Sequence, residues 1–220
     1  GWFFGFGYFL TNIYWISISL TFDRDFSYLI PMSIILIPAF LALFYGLITL
    51  IFHLFNLRNL LSAFFLFSLL FGSIEFIRGN IFTGFPWNFI IYSLSDKLNF
   101  ISIISVIGTY SLNLIVISLF SAPAIYILRK SKIDILVLII FIFIPILFIN
   151  YGNYYKQKFL NNEIIDNPYI IRVIGSNISL DSLDRFYSNV QTENVINELI
   201  KLSAPNKTKK IFFLWPEGII

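Results

Sequence analysis

Glu217 closes the triplet Trp215-Pro216-Glu217, which follows the short apolar run 211–214. A helical stretch over residues 188–202 and an earlier β-branched run over 169–174 precede it, so the segment reads as strand, helix, strand. In open α/β sheets, functional groups collect just beyond the carboxyl ends of parallel strands. A carboxylate there can serve as a general base when burial raises its pKa toward neutrality. Position alone favours the plainer reading, a surface glutamate in a turn. The second ionisable pair is Glu75 and Arg78, three residues apart and so able to meet on one helix face. They follow an apolar stretch and are read as a surface pair at a helix end, with a structural role. The sequence has no cysteine and one histidine, His53. Disulfides, a thiolate nucleophile and cysteine metal sites are therefore excluded within these residues. His53 is read as a polar anchor at the membrane interface, and no metal ion or cofactor is expected.

The elements that must position these residues are unusual. Only 12% of the residues are charged, about half the share of a soluble domain, and mean hydropathy is +0.82. Such a chain cannot cover itself with polar surface and needs lipid along part of its length. The 15 basic residues are spread out and form no nucleic-acid footprint. Five stretches have the length and apolarity of membrane spans: 3–22, 28–54, 57–74 (short), 100–128 and 133–149. In lipid each must satisfy its own backbone hydrogen bonds, which dictates helix. Pro31, Pro38, Pro123 and Pro145 are expected at kinks or helix ends. Asn12 is expected to hydrogen-bond between helices, and Trp2, Trp15, Trp87 and Tyr92 to sit in an interfacial aromatic belt.

Arg129, Lys130 and Lys132 crowd the short connection between the fourth and fifth spans. The positive-inside rule assigns that connection to the cytoplasm. Alternation then places 53–58 on the same side, and 23–27, 75–97 and everything after 150 outside. Residues 1–150 are thus read as a transmembrane region, 151–168 as a polar linker, and 169–220 as the start of a water-exposed α/β domain. Within the latter, Ser188 and Gln191 have capping-box spacing. The sequence reads as a fragment at both ends.

Trp215-Pro216-Glu217 behind an apolar strand resembles the first catalytic motif of the nitrilase, or carbon–nitrogen hydrolase, superfamily. The membrane part resembles one branch of it, the bacterial apolipoprotein N-acyltransferases. Gly5-Phe6-Gly7 with Asn12-x-x-Trp15 is similar to the start of a span in that family. Glu75-x-x-Arg78-Gly79, then Phe82-Thr83-Gly84-Phe85-Pro86-Trp87-Asn88 and Tyr92-Ser93, resembles its most distinctive outer loop. The likeness covers essentially the whole sequence. The loop after the first soluble strand departs from it. Where the family often has Gln and Lys-Trp, this sequence reads Asn177-Ile178-Ser179 through Asp184-Arg185-Phe186.

The resemblance implies a helical transmembrane bundle followed by the truncated start of an αββα nitrilase-like domain. It implies transfer of an acyl chain from a phospholipid to the N-terminal amino group of a diacylglyceryl-modified apolipoprotein. The enzymes of the family work at the periplasmic face of the bacterial inner membrane through a Glu–Lys–Cys triad. Glu217 matches the Glu; the Lys and Cys have no counterpart in this stretch, which alone is expected to be inactive. The implied partners are the phospholipid donor, the apolipoprotein acceptor and membrane lipids, with no nucleic acid. A non-enzymatic polytopic membrane protein, such as a transporter part or scaffold, is the alternative.

Overall fold

The computed structural model describes residues 1–21, 24–82, 84–162, 169–175, 189–205 and 210–215. They divide into two compact units, Gly1–Asn162 and Glu163–Ile220.

The first unit is helical. In chain order it comprises α1 (Trp2–Ile13), which tightens into 3₁₀ turns over Tyr14–Thr21 and Arg24–Leu29, then α2 (Ile30–Phe55) and α3 (Leu60–Asn80). A 3₁₀ turn at Ile90–Leu94, two short helices α4 (Leu98–Ile101) and α5 (Ile104–Ile107), α6 (Thr109–Leu128) and α7 (Lys132–Leu160) follow. Among the described residues five helical stretches are long and apolar enough to cross a membrane: Trp2–Thr21, Asp25–Phe55, Leu60–Asn80, Thr109–Leu128 and Lys132–Leu160.

Three spans differ from the sequence reading. The fourth starts at Thr109 because Gly108, at φ +77°, takes a left-handed conformation that stops a helix. Residues 100–107 form separate short helices instead. The third is not short. It runs on through Glu75 and Arg78 to Asn80, because these charges are answered by partners rather than by solvent. The fifth does not stop at 149. Residues 151–160, read as the start of a linker, continue α7 to Leu160, since nothing in that polar stretch breaks a helix.

The ends of these helices have local causes. Asn59 caps α3, its side chain accepting the Ser62 N–H at 3.0 Å. Ser131 and Asp134 form a reciprocal capping box at the start of α7. Pro38, Pro123 and Pro145 lie inside α2, α6 and α7, where lipid-embedded helices tolerate them.

Lipid tails are as apolar as leucine, so packing rather than the hydrophobic effect joins such helices. One cluster joins Phe9 and Ile13 of α1, Leu41, Tyr45 and Ile48 of α2, Phe71 and Ile74 of α3, and Ile117 of α6. A second seats the segment after α3 on α6, through Phe89, Ile91, Phe100, Ile103, Leu112 and Val116. Asn12 does not reach another helix. Its Nδ2 donates to the Tyr8 carbonyl one turn earlier at 2.7 Å, because an asparagine can satisfy itself on its own backbone.

The second unit pairs β1 (Tyr169–Val173) and β2 (Lys210–Leu214) in parallel, from Tyr169↔Lys210 to Val173↔Leu214. The helix α8 (Asn189–Ser203) lies between them in sequence, as a parallel pair requires. Its Leu199 is fully buried. Ser188 and the Gln191 side chain, read as a capping box, lie outside the described residues, as does Phe186.

Candidate functional site

In the second unit the exit of β2 is held by side chains. The Trp215 indole N–H donates to Ser203 Oγ at 3.0 Å, and that hydroxyl donates to the Leu199 carbonyl at 2.7 Å. Arg172 Nη1 donates to the carbonyls of Ser203 and Ala204 at 2.5 and 2.9 Å, satisfying carbonyls that the helix end leaves open. Strand β1, the end of α8 and the residue following β2 are thereby tied together. Trp215 stands just beyond the carboxyl end of its strand, the place where α/β sheets carry their chemistry. Pro216 and Glu217 lie outside the described residues.

The first unit holds a buried polar network that spacing alone had placed at the surface. Glu75 and Arg78 are 0% and 1% exposed. A charged side chain at such depth is expensive and needs partners. Glu75 Oε1 accepts the Tyr45 hydroxyl of α2 at 2.7 Å and faces Arg78 Nη2 at 3.4 Å. Glu75 Oε2 accepts Asn113 Nδ2 of α6. Three helices thus converge on one carboxylate.

The network grips the connection between α3 and α4 along residues 85–91. Arg78 Nη1 donates to the carbonyls of Phe85 and Trp87 at 2.8 and 2.9 Å. The guanidinium lies 5.0 Å from the centroid of the Phe89 ring and 5.2 Å from that of Phe9, a favourable setting for a cation. Asn113 Oδ1 accepts the Ile91 N–H at 3.0 Å, and Tyr8 of α1 donates to the Asn88 carbonyl at 3.0 Å. The connection is therefore a built surface rather than a loose loop. It presents Phe82, Trp87 and Tyr92 outward, with Trp87 stacked on Trp15 at 5.0 Å between centroids. Desolvation by partial burial holds the Tyr92 phenol above its ordinary pKa.

Because both Glu75 oxygens are occupied and enclosed, this carboxylate is suited to holding structure, not to exchanging protons with a substrate. Spacing revealed the Glu75–Arg78 pair, and the structure brings the two together. It missed Tyr45, Asn113 and Tyr8. The available signal was a polar residue inside an apolar helix, the feature that drew attention to Asn12 and applies equally to Asn113.

The sequence is similar to known proteins. Residues 1–122 match the family model described as the apolipoprotein N-acyltransferase N-terminal domain. An apolipoprotein N-acyltransferase of Brucella suis biovar 1 is 29% identical over 230 residues, covering 100% of this chain and 41% of that protein. One from Rhizobium leguminosarum bv. trifolii is 29% identical over 233 residues, covering 100% of this chain and 42% of that protein. One from Rhodopseudomonas palustris is 41% identical over 132 residues, covering 58% of this chain and 24% of that protein. The chain thus spans about two-fifths of the length of the relatives it matches end to end. The family match covers more than half of the chain and includes the whole Glu75–Arg78–Asn113 network, so the chain belongs to the apolipoprotein N-acyltransferase family.

Proposed function

We propose that the complete protein transfers an acyl chain from a membrane phospholipid to the N-terminal amino group of a diacylglyceryl-modified apolipoprotein. The observation that carries this reading is the match of residues 1–122 to the N-terminal domain of apolipoprotein N-acyltransferase, in a chain that goes on to a strand-end Trp215-Pro216-Glu217. In this account residues 169–220 open a nitrilase-like domain and Glu217 is its general base. The nucleophilic cysteine and an oxyanion-stabilising lysine come from parts of the protein that these 220 residues do not contain.

Glu217 takes the thiol proton, and the thiolate attacks a phospholipid ester carbonyl. The lysine ammonium stabilises the tetrahedral oxyanion. The ester C–O bond breaks, the lysophospholipid oxygen receives the proton, and an acyl-thioester remains. The acceptor amine then attacks the thioester carbonyl, the thiolate leaves, and an amide forms with loss of the amine's proton to Glu217. With no cysteine in residues 1–220, this stretch cannot form the thioester. Failure of the complete protein to move a labelled acyl chain from phospholipid to such an amine would defeat the reading.

The reading includes an orientation in the bacterial inner membrane with residues 163–220 on the periplasmic side. The basic cluster at Arg129, Lys130 and Lys132 supports it through the positive-inside rule. So does the pairing of Asn99 Nδ2 with Asn153 Oδ1 at 2.7 Å, which puts α4 and the end of α7 on one side. An impermeant thiol reagent applied to cells with a permeabilised outer membrane is expected to label Asn161→Cys and miss Ser131→Cys. Labelling of Ser131→Cys alone would reverse the orientation.

A further inference from the structure

The outer end of α7 and the short helix α4 enclose a cleft of about 790 Å³ that the acyl-transfer reading leaves unused. Its volume lies within the roughly 300–1,000 Å³ of small-molecule sites. The walls are fixed to one another. Asn99 is bonded to Asn153, Phe100 packs on Phe148 at 5.6 Å between ring centroids, and Gly152 meets the Asn99 backbone so closely that a Cβ there would collide with it. Its lining is divided by chemistry. Leu98, Ile149 and Phe159 form apolar wall and are each substantially exposed, while Lys97, just before α4, and Lys156, on α7, line the cleft from the two elements.

We propose that this cleft binds a membrane phospholipid, its phosphate between Lys97 and Lys156 and one acyl chain along Leu98 and Ile149. Three observations favour that occupant. First, the cleft sits where the apolar run of α7 gives way to Asn153, Lys156, Gln157 and Lys158, which is headgroup depth for a membrane span. Second, the exposed Ile149 closes the apolar run of α7, so a chain along it is continuous with the surrounding bilayer. Third, the lysines come from two elements. A lysine at a span end ordinarily snorkels alone along its own helix, whereas here two converge on one cleft. Asp96 lines the same cleft and accepts from Lys97 Nζ at 2.7 Å. Both groups of that pair are well exposed, and the ammonium keeps two further donors for a phosphate. The two lysines and one aspartate leave the rim with a net positive charge.

This site does not depend on acyl transfer, because a lipid held here is not required to be the one whose chain is moved. Its test therefore measures binding alone. The complete protein in nonionic detergent is titrated with phosphatidylglycerol, and bound lipid is counted by native mass spectrometry. Lys97→Gln/Lys156→Gln is expected to weaken retention of the tightest lipid about tenfold or more, the scale of losing charge-assisted bonds. Diacylglycerol with the same chains should bind weakly to the unaltered protein and equally to the variant. Ile149→Asp, which leaves both lysines in place, should also weaken phosphatidylglycerol, while glycerol phosphate should not displace it. Undiminished retention in the double variant overturns the proposal. Displacement by glycerol phosphate also overturns it, since a headgroup site without a chain is a different site.

Discussion

Replacing Glu75 by alanine is expected to destabilise the membrane unit by about 3–5 kcal/mol, the cost of breaking a buried ion pair from one side. The pair itself is not the main term. Its closest approach is 3.4 Å, and hydrogen bonds between membrane helices average only about 0.6 kcal/mol. The cost comes from what stays behind. Arg78, 1% exposed, would keep its bonds to the Phe85 and Trp87 carbonyls but lose its counter-charge. Tyr45 and Asn113 would each lose an acceptor in a place water does not reach. Glu75→Gln should be no rescue. It removes the charge and sets one amide N–H₂ among the Arg78 and Asn113 donors. Glu75→Ala combined with Arg78→Met should cost less than the sum of the two single changes, because the uncompensated guanidinium is gone. Reversible unfolding in mixed detergent–lipid micelles measures all four variants. A Glu75→Ala cost below about 1 kcal/mol would show that the network is not what holds residues 85–91.

Glu217→Gln in the complete protein is expected to slow formation of the acyl-enzyme about 10²–10⁴-fold, the usual worth of a general base. Glutamine preserves size and hydrogen bonding but cannot take up the thiol proton. Members of a catalytic unit often fail together, so the loss can exceed that range. The variant should insert and fold normally, since residue 217 is far in sequence from every membrane span. Its preceding Trp215 keeps the tether to Ser203. The rate is read as hydroxylamine-labile label from radioactive phospholipid at equal protein abundance. Wild-type thioester formation by Glu217→Gln would reduce the Trp215-Pro216-Glu217 motif to a structural turn.

Hydrophobic runs made five membrane helices legible before any coordinates, because lipid leaves the backbone no other choice. The ends were less legible. Gly108 is an ordinary letter until its φ is known. Residues 151–160 are polar, yet polarity does not end a helix when the chain has left the hydrocarbon. The largest misreading was depth. Glu75 and Arg78 look like surface charges because the groups that neutralise them lie on other helices. Tyr45 is 30 residues away and Asn113 is 38. No local spacing encodes such a convergence. The strand-end position of Trp215 was visible from the apolar run before it, whereas its partner Ser203 required the return of α8 against β2.

The most direct test of the acyltransferase account is transfer itself. The complete protein, purified and supplied with phospholipid labelled in its acyl chains, is incubated with a synthetic peptide whose N-terminal cysteine carries a diacylglyceryl group on sulfur. The account predicts a product heavier by one acyl chain, linked as an amide at the α-amine and stable to hydroxylamine. It also predicts one lysophospholipid released per amide formed and no product when the amine is acetylated beforehand. Release of free fatty acid with no amide, or a labelled peptide whose label hydroxylamine removes, would contradict it.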